Sequence, residues 1–381
     1  MRIQSLIFFI LGCLVCVVVL YLSREAFYFD VFGKTTISVP VYDLRHGKKR
    51  LHSPGFHGRI PNIVHQTWKT NVSPPSETVR WRRQCVALNP DFSFQLYDDK
   101  ELHTFVEQKA DKYLPLFQSL KGVYMADMAR ILLMYYYGGF YFDLDFICHR
   151  PFRCLLDMAS KMSSSLTSVN HTSHDDILVV SQEPTVHANI FREKEEVIIQ
   201  DFFMGTPRHP FLEWLLDDRL TRFYDDLYHE RSPTKGPFSY SIEDNLDMWM
   251  KVVGQREPTT TVEKDTIREM ERLRSKYGVT TTFKKAEIVV LPEDVLHSLV
   301  DSTNSRLNIV CNNKEAITQL NSASCSDVRS KLFFRPSERT IAVHMWSHTY
   351  LGFSFLRGIY MWARYAHVER TLPPLQTCPV S

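Results

Sequence analysis

Hydrophobic and polar positions along this chain change their period several times, and each change predicts an element. From Ile3 to Leu22 there is no charge, and Leu6–Leu22 is nearly all Leu, Ile, Val and Phe. As a helix, about twenty such residues span ~30 Å, the thickness of a bilayer core. Residues 23–58 mix charge, Gly and Pro without a period and read as a stem. A first strand is predicted at Ile60–Gln66. Pro74-Pro75-Ser76 punctuates, with Ser76 able to cap a helix carrying Val79, Trp81, Arg82 and Val86. After the turn Asn89-Pro90-Asp91, Phe92–Tyr97 alternates with period two. Residues 123–137 are densely apolar without a breaker, which predicts a buried helix stopped by Gly138-Gly139. Phe140–Asp145 then reads as a strand, and 160–176 as an exposed loop. Ile177–Ser181 and Val197–Met204 predict strands, and Pro210–Tyr228 a helix. Residues 262–277 predict a charged amphipathic helix, and Thr280–Phe283, Ile288–Leu291 and Thr340–Trp346 predict short strands. Strands alternating with helices predict an α/β fold with a mostly parallel central sheet.

Composition narrows the class. With 44% hydrophobic and 13% aromatic residues among 381, the chain has too much apolar material to stay disordered. Gly 14, Pro 19 and Cys 8 exclude collagen and a disulfide miniprotein. Lys+Arg 45 against Asp+Glu 43 leaves +2, which gives no support to bulk electrostatic binding of nucleic acid.

The apolar run decides the compartment. Arg2 precedes it, Arg24 and Glu25 follow, and no small-x-small exit is present. An uncleaved signal anchor is therefore expected, with 1–5 a cytosolic tail, 6–22 the span, 23–58 the stem and 59–381 a luminal domain. A cleaved signal would also deliver the remainder to the secretory pathway. Cys13 and Cys16 lie in the run, which leaves six of the 8 cysteines for an oxidising lumen. Six allow fifteen pairings. Cys148/Cys154 and Cys311/Cys325 are near enough in sequence to close local loops. Asn170-His171-Thr172 is a glycosylation sequon in a polar stretch, whereas Asn71-Val72-Ser73 is weakened by Pro74.

The chemistry centres on Asp143 and Asp145. Two apart on a predicted strand, they project to one face, with Leu144 on the other. Adjacent carboxylates repel, and a hard divalent cation such as Mn²⁺ or Mg²⁺ relieves the repulsion. Such a cation keeps positions open for phosphates and neutralises a departing diphosphate. On its own a D-x-D pair is also what two solvated strand-end aspartates look like.

The surrounding residues are more specific. Tyr124-Met125-Ala126-Asp127-Met128-Ala129-Arg130 and Tyr135-Tyr136-Tyr137-Gly138-Gly139-Phe140-Tyr141-Phe142-Asp143-Leu144-Asp145 carry the patterns [SA]-D-x-x-R and G-G-x-Y-x-D-x-D. With Ile60–Lys69, Asn89-Pro90-Asp91 and Tyr97-Asp98-Asp99, this segment resembles the DXD-type, OCH1-like glycosyltransferases of family 32. That family includes yeast α-mannosyltransferases, inositol-phosphoceramide mannosyltransferases and relatives of animal α1,4-transferases. The resemblance is continuous from about Ile60 to Pro151 and looser from Asp201 to Trp346. It implies a GT-A-like nucleotide-sugar-binding fold, a GDP-mannose or UDP-hexose donor, a divalent metal and retention at the anomeric carbon. It also implies a single-pass type II Golgi membrane protein acting on a glycan or glycolipid.

The resemblance carries roles over to particular residues. Asp127 and Arg130, three apart on a helix, would hold the donor's sugar and diphosphate side; a structural ion pair is the alternative. Gly138 and Gly139 would let the backbone approach the donor, or simply cap the helix. Trp68 would stack the nucleotide base, or pack in the core. In His344-Met345-Trp346-Ser347-His348, His344 is the first candidate metal ligand beside Asp143 and Asp145, and His348 the next. Asp201, after a strand, and Asp244, near Glu243 and the segment Lys235-Gly236-Pro237-Phe238, are candidate catalytic carboxylates, with solvated surface acids as the alternative. The pairs Asp175-Asp176, Asp217-Asp218 and Asp225-Asp226 read as solvated. Tyr350–Tyr365 could touch the membrane or pack on the domain. A rival function is a catalytically inactive, membrane-tethered glycan-binding protein of the same fold.

Overall fold

A computed structural model of the chain describes residues 58–70, 74–166, 176–229, 242–254, 256–279, 286–301, 309–311, 322, 324–326, 336–347 and 364–379. The apolar run at 6–22, nearly all of the stem, Asn170, Lys235–Phe238, Thr280–Phe283, His348 and most of Tyr350–Tyr365 lie outside these residues, as does the side chain of Glu243. Among the described residues no helix is long and apolar enough to cross a membrane.

Eight strands are described: β1 (Ile63–Thr67), β2 (Ser93–Tyr97), β3 (Gly139–Phe142), β4 (Phe146–Cys148), β5 (Ile177–Gln182), β6 (Ile198–Gly205), β7 (Glu287–Leu291) and β8 (Ala342–His344). Six form one sheet in the order β2-β1-β3-β6-β5-β7, and β4 pairs with β8 in a second. The large sheet is mixed rather than mostly parallel. β1 runs parallel to β2 and β3, and β5 parallel to β7, but β6 is antiparallel to both its neighbours. A strand's direction depends on how its connections cross the sheet, which residue periodicity does not encode.

Side-chain alternation divides the core into two layers. Tyr141 of β3, Leu178 and Val180 of β5 and Phe203 of β6 pack with the helices Val123–Tyr137 and Pro210–Tyr228. Phe140, Phe142, Ile177, Val179, Phe202 and Met204 face the other way, with Phe92, Phe146 and Phe152. The rings of Phe142 and Phe152 stack 4.7 Å apart.

Val123–Tyr137 and Pro210–Tyr228 are helices as predicted and Thr261–Lys276 starts one residue early, but 160–166, read as the start of an exposed loop, instead ends a helix Arg153–Leu166. Ser76 does not cap. It is the first helical residue, Pro75 holds the cap position, and the Ser76 hydroxyl donates to Glu77. Gly138 and Gly139 end the 123–137 helix at φ of 63° and 88°. A β-carbon on Gly138 would sit 2.6 Å from the Pro207 nitrogen, and one on Gly139 2.5 Å from the Ile63 carbonyl oxygen. Both glycines therefore allow neighbouring backbone to close on the turn.

The disulfides are Cys85–Cys148, Cys154–Cys378 and Cys311–Cys325. The local Cys311/Cys325 loop is present, but Cys148 and Cys154 each pair with a distant partner instead of one another. Asp217, Asp218 and Asp225 of the aspartate doublets also differ from the solvated reading. Asp217 is buried, accepting from Lys112 Nζ at 2.6 Å and Tyr113 Oη at 2.7 Å. Asp218 is buried against Arg222, and Asp225 against Lys276 and Tyr277.

Candidate active site

The site forms where β3 and β8 end, β4 begins and β6 passes through Asp201. β3 stops at Phe142, so Asp143 and Asp145 do not share a strand as alternation predicts. Leu144 and Asp145 form a turn, and the chain re-enters a strand at Phe146. Asp143 keeps the Tyr141 face and extends the ladder by one bond, its N–H donating to the Asp201 carbonyl at 2.9 Å. Asp145 immediately precedes β4 of the second sheet. Pairing of Phe146 with His344 brings it to β8, and Met345 N–H donates to its carbonyl at 2.9 Å. The two carboxylates converge from opposite sides of a turn.

Asp143 sits among cationic and hydroxyl groups. Tyr141 Oη donates to Asp143 Oδ1 at 2.7 Å, and Arg130 Nη2 lies 3.4 Å from the same oxygen. Arg130 is buried, spans to Asp127 Oδ1 at 3.2 Å, donates through Nη1 to the Gln200 carbonyl at 2.6 Å, and covers the Tyr141 ring. The helical i,i+3 spacing of Asp127 and Arg130 produces this contact. Burial pushes the Asp143 carboxyl up to about 6; Arg130 opposes that shift, while Asp145 and Asp201 add to it. Burial also raises the Asp127 carboxyl, against the pull of Arg130.

Asp145 is more tightly held. Its Oδ1 lies 3.0 Å from His344 Nε2, and its Oδ2 accepts from the Ser347 N–H and hydroxyl, both at 2.8 Å. Burial works against its ionised form, but His344 and Ser347 outweigh burial and hold it down at about 2. Trp346 makes the Ser347 contact possible. It turns the chain at φ 51°, a left-handed conformation rare for a bulky residue, and such strain costs on the order of 1–3 kcal/mol. Its indole N–H donates to the Leu299 carbonyl at 2.7 Å, and its ring lies 4.3 Å from that of His344.

Asp201 is not a surface acid. Its Oδ2 lies 2.8 Å from His344 Nδ1, and both oxygens are within 3.0 Å of His297 Nε2. His297 Nδ1 meets the Ser181 hydroxyl at 3.0 Å. Burial pushes Asp201 up, but the two histidines more than reverse this and leave it below the usual carboxylate range. Burial lowers His344, and Asp145 with Asp201 outweighs burial, so its imidazole is held well above 6.5. Side-chain exposure falls from 28% at Asp143 to 13% at Asp145 and 4% at Asp201, so the cluster opens to solvent on the Asp143 side.

Asp143, Asp145 and His344 each offer a ligand atom within 4.8 Å of the others, and so do Asp201, His297 and His344. Two carboxylates and an imidazole suit Mn²⁺, which accepts nitrogen more readily than Mg²⁺ does. Trp68 and Asp244 are the sequence candidates that remain. Trp68 follows β1, half-buried, with its indole N–H unpartnered and its backbone N–H on the Tyr97 carbonyl. Asp244 is exposed on the Ile242–Val252 helix and pairs with Lys194 at 2.7 Å. His297 and Ser181 carried no motif signal, and Ser347, inside the His344–His348 segment, has no role assigned from sequence. Tyr141 stands inside the G-G-x-Y-x-D-x-D pattern, but the sequence alone assigns it no role.

Residues 75–165 match the family described as the glycosyltransferase sugar-binding region containing the DXD motif. Inositol phosphoceramide mannosyltransferase 1 of Schizosaccharomyces pombe is 29% identical over 188 residues, 48% of this chain and 49% of that protein. Mannosyl phosphorylinositol ceramide synthase CSH1 of Saccharomyces cerevisiae is 35% identical over 126 residues, 33% of each chain. The chain thus spans about half or less of the length of the curated relatives it matches. Among solved structures, the PaToxG glycosyltransferase aligns with a TM-score of 0.31 and 15% identity over 57% of this chain and 87% of that one, too distant a likeness to bear on the site. The matched segment holds Asp127, Arg130, Asp143 and Asp145, and over it the chain is similar to the sugar-binding region of DXD-type glycosyltransferases.

Proposed function

We propose that this protein is a metal-dependent glycosyltransferase that moves a hexose from a nucleotide sugar to a glycan or glycolipid. The observation that carries the reading is the convergence of Asp143, Asp145 and His344 within 4.8 Å, the two aspartates lying on the segment that matches the sugar-binding family. The names of the relatives favour mannose as the sugar and an inositol-phosphoceramide type of acceptor. A GT-A-like arrangement and retention at the anomeric carbon come with the family resemblance.

A divalent cation, Mn²⁺ in the first instance, would be held by Asp143, Asp145 and His344, and when bound it offsets charge on the leaving diphosphate. The chain's own residues prepare that position. Ser347 fixes one oxygen of Asp145, and Tyr141 fixes one of Asp143. Arg130, buried and cationic, limits the repulsion between the aspartates. The greater exposure of Asp143 makes its side the approach for the donor, with Asp127 and Trp68 proposed to contact sugar and base.

The proposed location is the Golgi membrane, single-pass type II, with the catalytic domain in the lumen. Three disulfides among the described residues and the apolar run at 6–22 support an oxidising, membrane-bound setting. The test is donor hydrolysis and transfer by the purified full chain, screened over GDP-mannose and UDP-hexoses with Mn²⁺ or EDTA. Turnover that needs Mn²⁺ and disappears in Asp143→Ala supports the enzyme. Glycan binding without any donor bound or split would instead support the tethered binding protein.

A further inference from the structure

His344 has an aspartate on each side, and the two contacts differ: Nε2 hydrogen-bonds Asp145, whereas Nδ1 lies 2.8 Å from Asp201 Oδ2 as an ion-pair contact outside hydrogen-bond geometry. Nε2 faces Asp145 at the more open end of the cluster, and Nδ1 faces Asp201 at the buried end. Behind Asp201 the contacts continue inward to His297 Nε2 at 2.9 Å, and from His297 Nδ1 to the Ser181 hydroxyl at 3.0 Å. Ser181 belongs to β5, Asp201 to β6 and His344 to β8. The chain of contacts therefore joins the six-stranded sheet to the two-stranded one at the point where the cation site forms. Ser181 and His297 are fully buried and Asp201 nearly so. They are out of reach of a substrate approaching from the Asp143 side.

We propose that Ser181, His297 and Asp201 are positioning residues that fix the His344 ring so that its Nε2 is presented to the Asp143/Asp145 cation site. This rests on the cation site of the proposed function and goes beyond it. It gives Asp201 a role through His344 and recruits two residues that no sequence pattern marks. The physical ground is general. A ligating imidazole is oriented by what its other nitrogen bonds, and a buried carboxylate is the usual partner. Asp201 can serve only if its own oxygens stay in place, and His297, pinned by Ser181, donates to them. Burial makes the arrangement all-or-none, because a carboxylate that loses a donor there has no water to replace it.

The test is Mn²⁺ affinity of the full chain, read from the free-ion EPR signal, with donor KM and kcat measured alongside. His297→Leu removes the donor to Asp201, and His297→Gln restores an N–H near the Nε2 position. Asp201→Asn and His297→Leu are expected to weaken Mn²⁺ binding about 10–100-fold, with His297→Gln recovering most of it. Ser181→Ala should weaken binding in the same direction by less. Thermal unfolding is followed for each variant, and Ser181→Ala and His297→Gln keep the test decisive if the harsher pair does not fold. Folded His297→Leu that binds Mn²⁺ as the parent does overturns the proposal. So does loss of the ion in His297→Gln with binding kept in Asp143→Ala, since the ion would then sit in the Asp201/His297/His344 triad. If the parent binds no Mn²⁺ at all, the cation site itself fails, and this proposal with it.

Discussion

Replacing Asp143 by Asn separates what the site costs the fold from what it does for the cation. In the metal-free protein burial raises the Asp143 carboxyl from 3.8 to about 6, against the pull of Arg130. A tenfold change in proton affinity corresponds to about 1.4 kcal/mol, so the ionised carboxylate destabilises the fold by at most about 3 kcal/mol. The side chain retains 28% exposure, and screening by solvent brings the expected effect to roughly 1–2 kcal/mol. Because the folded pKa lies above the unfolded one, this group's favourable contribution is full below about pH 4 and is lost as pH rises through 6. Asn has no proton to lose. The stability of Asp143→Asn relative to the parent should therefore improve by about 1 kcal/mol between pH 4.5 and 7.5. The attraction of Arg130 acts on the ionised carboxylate and is already contained in the value of about 6, and in the variant Arg130 keeps Asp127 and the Gln200 carbonyl.

The assay is urea unfolding in EDTA at both pH values, disulfides intact, with slopes compared to check that the unfolded states match. Adding Mn²⁺ at a hundred times its dissociation constant at pH 7.5 should reverse the order, because only the parent gains the binding contribution of about 2.7 kcal/mol. A stability difference that stays flat from pH 4.5 to 7.5 would refute the burial argument. A parent that gains on the variant as pH rises would show that Asp143 is a stabilising partner of Arg130 instead.

Three further outcomes follow from the packing. Gly139→Ala should lower stability by more than about 2 kcal/mol, since it forces an L residue to a left-handed φ and a β-carbon onto the Ile63 carbonyl; a melting curve unchanged from the parent would contradict this. Tyr113→Phe removes one of the donors to buried Asp217 and should cost about 1.5–3 kcal/mol by urea unfolding, while donor KM stays the same. Cys154→Ser opens a link across 224 residues and should cost about 5 kcal/mol, against about 3 kcal/mol for Cys311→Ser across 14, if loop entropy governs; equal losses would argue that native packing does.

What could be read in the sequence was what local patterns encode. The 123–137 helix was legible because an uninterrupted apolar run and a Gly-Gly stop need no knowledge of the partner layer. The D-x-D pair was legible for its chemistry but not for its geometry. Period-two alternation extends a strand until something breaks it, and the break at Phe142 comes from β4 leaving to pair with β8, some 200 residues on. The antiparallel course of β6 and the partners of Cys148 and Cys154 were hidden for the same reason.

The depth of the site was hidden by a different cause. Asp201 reads as a strand-end acid, and His297 as an ordinary histidine after a short helix, because nothing nearby in sequence names their partners. Each is buried with a charge or a polar tip, which is unfavourable alone and tolerable only in the assembled cluster. Asp145, Asp201, His297 and His344 come from four separate segments, and no one of them could be kept buried without the others. That mutual dependence makes the cluster a property of the tertiary fold. It also explains why the motif supplied only its outer members, Asp143, Asp145 and His344, while Ser181 and His297 emerged only from the structure.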